Sequence, residues 1–228
     1  MKSTGGSDAA KRRAGEAAAE AVADGDLVGL GTGSTAATAI RALGRAVDAG
    51  LEIRGVPTSF QSRALAREVG IPITPLEDVG HVDLAIDGAD QVADGQLIKG
   101  GGAAHAREKV VAAAADRFVV VVDETKLADT LDHPVPVAVL PEARTAVSER
   151  IEVLGGEPVL RDAAAKDGPL VTDHGNLVLD SAFGAIEAPA ELAETLSSLP
   201  GTVEHGLFVE IADAVFVGSE DDVEVREQ

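Results

Sequence analysis

The sequence predicts an α/β fold: a doubly wound, mostly parallel sheet, with a second, smaller α+β domain late in the chain. Three observations lead there. Short apolar runs alternate with helix-period segments over the first 123 residues, the pattern of strands joined by helical crossovers. Three of those runs end in polar clusters, GTGST, DGAD and DETK, and strands of a parallel sheet deliver such ends to one edge. After about Leu131 the order becomes β-α-β-β-α-β, a split motif that builds an independent antiparallel layer.

In order, residues 1 to 6 carry no periodic pattern and are expected to be disordered, and Ser7 is placed to cap a helix running to about Ala23. Leu27 to Leu30 reads as a strand and Ala36 to Val47 as a helix. Leu51 to Val56 reads as a strand, Thr58 to Val69 as a helix and Ile71 to Thr74 as a short strand. His81 to Ile86 is a strand ending at Asp87, Ala103 to Ala115 a helix, and Phe118 to Val122 (FVVVV) a strand buried on both faces. In the later part, Val135 to Leu140 and Glu157 to Leu160 read as strands around a helix from Ala143 to Leu154. Leu170 to Leu179 reads as a hairpin with DHGN at its turn, Pro189 to Ser198 as a helix and Thr202 to Glu210 as a strand; Ala214 to Gly218 returns to the first sheet. The expected division is a Rossmann-like domain of residues 1–131 plus 203–228 and a ferredoxin-like domain of residues 132–202.

Composition narrows the setting. Hydrophobic residues make up 45% of 228, but with five Phe and neither Trp nor Tyr the packing falls to Ala and Val. The absence of cysteine excludes a disulfide framework and a thiolate nucleophile. No apolar run reaches the ~18 residues of a membrane span, and no signal-peptide core precedes the first helix, so a cytoplasmic protein is expected. The formal charge of −20 disfavours nucleic acid and anionic membranes as partners. The acids are spread along the chain, and only the terminal SEDDVEVREQ reads as a short acidic arm. Such an excess, with six lysines, fits adaptation to high salt, where a Debye length of about 3 Å at ~1 M screens the repulsion.

The chemistry concentrates in Leu84 to Lys109. GLGTGST (Gly29 to Thr35) lies before it, between a strand and a helix, so the glycines and the hydroxyls of Thr32, Ser34 and Thr35 suit a phosphate; a structural tight turn and a nucleotide site are the other readings. A dinucleotide fingerprint would need a third glycine after Gly33 and an acid near Val56, and neither is present. In DGAD, Asp87 and Asp90 suit a metal pair, a helix cap or contacts to polyol hydroxyls; without cysteine and with scattered histidines, a metal shell is hard to assemble. Lys99 precedes Gly100, Gly101 and Gly102, an arrangement that neutralises a developing oxyanion, against the plain alternative of a solvated lysine. Glu108 falls at the edge of an apolar helix stripe. The pattern alone favours a solvated helix glutamate over a partly desolvated general base. His105 is near these groups, and the other histidines have no spacing that marks ligands or a triad.

Taken in order, GLGTGST, AIDGAD, IKGGGAA, REK, DETK, LGG and TDHGN resemble the type A ribose-5-phosphate isomerase family, over roughly Asp8 to Gly218. The resemblance implies a cofactor-free and metal-free interconversion of D-ribose 5-phosphate and D-ribulose 5-phosphate through a cis-enediolate, in the non-oxidative pentose phosphate pathway. It implies that Thr32, Gly33, Ser34 and Thr35 hold the sugar phosphate, with Lys11 and Lys126 near the substrate. Asp87, Gly88, Ala89 and Asp90 would serve ring opening and hydroxyl contacts. Lys99 with Gly100 to Gly102 would stabilise the oxyanion, and Glu108 would be the base. A homodimer or homotetramer is implied as well. The competing expectation is a non-catalytic sugar-phosphate sensor on the same fold, which would carry a DNA-binding extension and could dispense with Glu108. A nicotinamide dehydrogenase fails on the fingerprint.

Overall fold

A computed structural model describes residues 6–165 and 167–228. The disorder expected for residues 1 to 6 therefore lies outside the described residues except at Gly6. The described chain forms two compact units. One comprises the chain up to Ala89, Arg107–Leu127 and Ile211–Gln228; the other comprises Asp90–Ala106 and Ala128–Glu210. Beyond the expected 132–202, the second unit also takes in residues 90–106, which hold the lysine–glycine segment, and residues 128–131 and 203–210.

The first unit is the doubly wound layer. Strands β1 (Leu27–Leu30), β2 (Arg54–Pro57), β3 (Val82–Gly88), β6 (Ala115–Asp123) and β12 (Ala214–Gly218) run parallel in the order β2-β1-β3-β6-β12. Strand order reverses direction at β1, so the carboxyl ends of β1 and β3 flank the switch point where such sheets bind ligands. The sheet is covered on one face by helices α1 (Asp8–Ala19), α2 (Ser34–Asp48) and α3 (Phe60–Glu68), whose Ala14, Ile40, Leu43 and Leu65 pack on Val28, Leu30, Val119 and Val121. Val119 and Val121 share this face because side chains alternate along a strand. The valines of FVVVV are all at most 1% exposed, each burial contributing roughly 1.5–3 kcal/mol. Helix α4 (His105–Ala113) meets the other face over β1: a Cβ at Gly29 would lie 2.6 Å from Val111.

Several local expectations are corrected here. The first helix stops at Ala19, four residues early; Ser7 does cap it, its hydroxyl accepting from the Ala10 N–H at 3.1 Å. Ile71 to Thr74 is not a strand but a single bridge from Ile73 to Gly55. The terminal SEDDVEVREQ is no loose arm, because β13 (Val223–Glu227) pairs antiparallel with β12 and closes that edge with charged residues.

The second unit holds two sheets. β7 (Val135–Val139), α5 (Arg144–Val153), β8 (Glu157–Leu160), β9 (Leu177–Ala182), α6 (Pro189–Ser198) and β10 (Thr202–His205) follow the β-α-β-β-α-β order, with strands arranged β10-β7-β9-β8. The expected hairpin at DHGN keeps only its second arm. Residues 170–172 form no strand, and the turn is closed by the Gly175 N–H on Thr172 O and the Thr172 N–H on Asn176 O. β4 (Gln91–Ala93), β5 (Gln96–Ile98) and β11 (Leu207–Phe208) make a separate sheet absent from the expectation. The strand foreseen over Thr202 to Glu210 is thus cut at Gly206: β10 pairs with β7 and β11 with β5. A Cβ there would lie 2.1 Å from Lys99 O, so the break lets the two backbones touch.

Candidate active site

In the parallel unit the site is built from strand ends. β1 ends at Leu30, and the chain turns through Gly31 and Thr32 into α2, whose N-cap Gly33 has φ 116° and makes no side-chain cap. The first N–H groups of that helix therefore have no capping side chain, the arrangement that receives an anion. Ser34 is exposed and Thr35 buried. The strand expected over His81 to Ile86 runs two residues further, through Gly88, so Asp87 sits inside it and is only 3% exposed. Its Oδ1 accepts from the Thr32 N–H at 2.9 Å and from the Gly88 N–H at 2.7 Å. Asp87 thus fixes the GTGST loop through its backbone from within a strand, which removes the helix-cap reading for it.

Glu108 is where the pattern reading fails. It is 4% exposed, not a solvated helix residue, and lines a small pocket with Gly31, Thr58, Asp87, Val111 and Phe118. The failure has a local cause: α4 spans nine residues, too short and too alanine-rich for its apolar stripe to settle which side faces the sheet. Lys126 is also buried, in a single 3-10 turn (Glu124–Lys126) after β6. That turn is capped by Asp123, whose Oδ1 accepts from the Thr125 N–H at 3.1 Å and from the Thr125 hydroxyl. Lys11 lies in α1 and is half-buried; its carbonyl accepts from the Thr38 hydroxyl at 2.8 Å, tying α1 to α2.

The second unit carries the other predicted group. Asp90 follows β3, and its Oδ2 accepts from the Gly101 N–H at 2.7 Å. Lys99 is 2% exposed, and its ammonium lies 5.4 Å from the centroid of the Phe208 ring, within cation–π range. A solvated lysine is thereby excluded. Gly100 is buried, Gly101 half-buried and Gly102 exposed, and His105 is 1% exposed. Gly88 and Ala89 are half-buried where the chain leaves the parallel unit.

Residues outside the expected set also belong to this description. The Thr32 hydroxyl donates to Ser59 Oγ at 2.7 Å and lies 2.9 Å from the Thr58 hydroxyl, which in turn donates to Leu30 O. Ser59 also caps α3. Hydroxyl residues ending β2 beside GTGST were the available signal. Asp123, fully buried at the end of β6, is another. Among the described residues, one group has metal-ligand spacing: His81, Asp83 and Asp116, with ligand atoms within 4.8 Å of one another. It lies at the amino ends of β3 and β6, opposite Asp87, and two of its members are exposed.

The similarities to known proteins agree with this arrangement. Residues 54–222 match the family model described as ribose 5-phosphate isomerase A (phosphoriboisomerase A). Ribose-5-phosphate isomerase A of Natronomonas pharaonis is 66% identical over 99% of this chain and 100% of its own length; that of Haloarcula marismortui is 67% identical over 97% of each. Both come from halophilic archaea. Among solved structures, ribose 5-phosphate isomerase A of Methanocaldococcus jannaschii superposes with a TM-score of 0.92 at 42% identity, covering 96% of this chain and 98% of that one. A D-ribose-5-phosphate isomerase in complex with phospho-erythronic acid superposes with a TM-score of 0.95 at 41% identity, covering 98% and 100%. Among the described residues, no helix is long and apolar enough to cross a membrane. With identity sustained along its whole length and a backbone that follows the solved members, the chain belongs to the ribose 5-phosphate isomerase A family.

Proposed function

We propose that the chain interconverts D-ribose 5-phosphate and D-ribulose 5-phosphate through a cis-enediolate. The observation that carries this reading is Glu108, a buried carboxylate gathered with Asp87, Gly31 and Thr58 at the carboxyl ends of the central strands, beside a loop whose helix N-terminus is uncapped. Glu108 takes the proton from C2 of the aldose and returns it to C1 while the hydroxyl proton passes from O2 to O1, giving the ketose; the reverse path starts at C1. The charge that develops on O1 and O2 is borne by Lys99 and the backbone of Gly100, Gly101 and Gly102. Asp87 and Asp90 serve ring opening and the sugar hydroxyls. Thr32, Gly33, Ser34 and Thr35 hold the phosphate, with Lys11 and Lys126 supplying positive charge near it. The phospho-erythronic acid bound by the related isomerase supports the substrate class: it pairs a phosphate with a planar two-oxygen terminus, as the enediolate does.

The protein acts in the cytoplasm as a homodimer or homotetramer, without nucleic-acid or membrane partners. Membership of the family and a net charge of −20 support this reading. A ketose-coupled assay with ribose 5-phosphate at low and high KCl tests the reading. Turnover of ribose 5-phosphate, but not of unphosphorylated ribose, is expected; no turnover at either salt concentration would sink it.

A further inference from the structure

Arg161 and Asp180 belong to none of the groups assigned above, yet both lead to the glycine loop. Arg161 follows β8, and its backbone is fixed by bonds to Val178 O and from the Leu170 N–H. Its side chain is 9% exposed. Nε donates to Asp180 Oδ2 at 2.9 Å, and Nη2 donates to Asp180 Oδ1, a bidentate pair. Nη1 donates to Gly100 O at 2.9 Å and to Gly101 O at 3.3 Å.

The peptide between Gly100 and Gly101 is therefore held at both ends. Its carbonyl accepts from Arg161, and its N–H donates to Asp90 Oδ2 at 2.7 Å. A cation and an anion stand at opposite ends of one peptide dipole, so the plane cannot turn over without losing both bonds. Gly101 lets the carboxylate come this close, because a Cβ there would lie 2.5 Å from Asp90 Oδ1. A pair serving only to staple β8 to β9 would leave Nη1 to water. Here it reaches a loop 60 residues away and ends on two of its carbonyls.

We infer that Arg161 and Asp180 are positioning residues for isomerisation. Asp180 orients the guanidinium, the guanidinium fixes the Gly100–Gly101 peptide, and that peptide aims the Asp90 carboxylate and the loop after Lys99. The inference rests on the isomerase reading above. A displacement of the order of 1 Å at such a group costs about 10²-fold in rate, so the pair acts on turnover more than on substrate binding.

The test uses the full-length enzyme at high KCl, with kcat, KM for ribose 5-phosphate, inhibition by phospho-erythronate and Tm measured together. Arg161→Met is expected to lower kcat about 10- to 100-fold with KM changed much less. Arg161→Lys should recover part of the loss, since an ammonium reaches one carbonyl but not the fork. Asp180→Asn keeps the guanidinium charge and should give a smaller kcat loss in the same direction. The double variant should cost little beyond Arg161→Met, because the two act in series. If Arg161→Met does not fold, Arg161→Lys and Asp180→Asn carry the test. A lowered Tm with kcat unchanged in the folded variants overturns the inference and leaves a structural pair. An inactive wild type instead overturns the isomerase reading, and the positioning role with it.

Discussion

The Thr32 N–H donates to Asp87 Oδ1 at 2.9 Å, joining two residues 55 positions apart at the carboxyl ends of adjacent strands. This bond sets the entrance to α2 against the end of β3. Gly31 makes it possible, because a Cβ at that position would lie 2.3 Å from Asp87 Oδ1 and 2.5 Å from its Cα. Gly31→Ala should therefore cost about 1–3 kcal/mol of stability and weaken phosphate-end binding. Unfolding midpoints and KM for ribose 5-phosphate check it; a variant matching wild type in both would show that the loop has slack.

Glu108→Gln keeps the volume of the side chain and removes the proton acceptor. Turnover should fall about 10²- to 10⁴-fold while phospho-erythronate still binds. Single-turnover proton exchange at C2 is the direct measurement. Exchange at the wild-type rate would remove Glu108 from the role of base.

Lys99 is buried against Phe208, so replacing it with Met preserves most of the packing while deleting the charge. The expected loss is about 10²- to 10³-fold in kcat, with KM for the sugar phosphate much less affected. Equal losses in kcat and in ground-state affinity would mean that Lys99 binds substrate without favouring the enediolate.

Asp83 gives a pH prediction. Its Oδ2 accepts from the Leu27 N–H at 2.7 Å, and that bond, helped by His81, holds its carboxyl below the usual carboxylate range. A carboxyl lowered in the folded state contributes stability above its unfolded pKa, and the contribution disappears as pH falls through the folded value. Asp83→Asn should lower Tm at neutral pH by no more than about 3 °C, as its side chain is 39% exposed. The difference between the two proteins should vanish in strong acid; a difference constant with pH would assign the effect to packing.

Salt should stabilise the wild type. With a charge of −20, raising KCl from ~0.1 M to ~2 M shortens the Debye length from about 10 Å to under 3 Å and should raise Tm. Melting curves across that range decide it, and a flat or falling Tm would separate the acidic composition from salt tolerance.

Much of this site was legible in the sequence. FVVVV could only be a strand buried on both faces, and GTGST and DGAD each end an apolar run, which in a parallel sheet puts them on one edge. The ferredoxin-like order was legible for the same reason: its strands and helices are long enough to show their periods. The hairpin of β4 and β5 was not seen, although Asp94 (φ 46°) and Gly95 (φ 74°) form the Asp-Gly turn that marks such hairpins. Its strands are three residues each, too short for alternation to register. Glu108 could not be placed because burial on a short alanine-rich helix is decided by what packs on it. Arg161 was invisible for a plainer reason: nothing local marks a side chain whose partners lie 60 residues upstream.

The place of β12 in the sheet bears on how the protein is made. β6, with its run of valines, lies between β3 and β12, and β12 with β13 follows it only after residues 124–213. During synthesis Ala128–Glu210, the larger part of the second unit, emerges after β6 and before its missing neighbour. One edge of the valine-rich strand thus waits, unpaired, until Ala214–Gly218 has been made. A nascent chain stalled before Ala214 would present that edge to other chains, so the step most exposed to aggregation falls after the second unit has been made rather than before it.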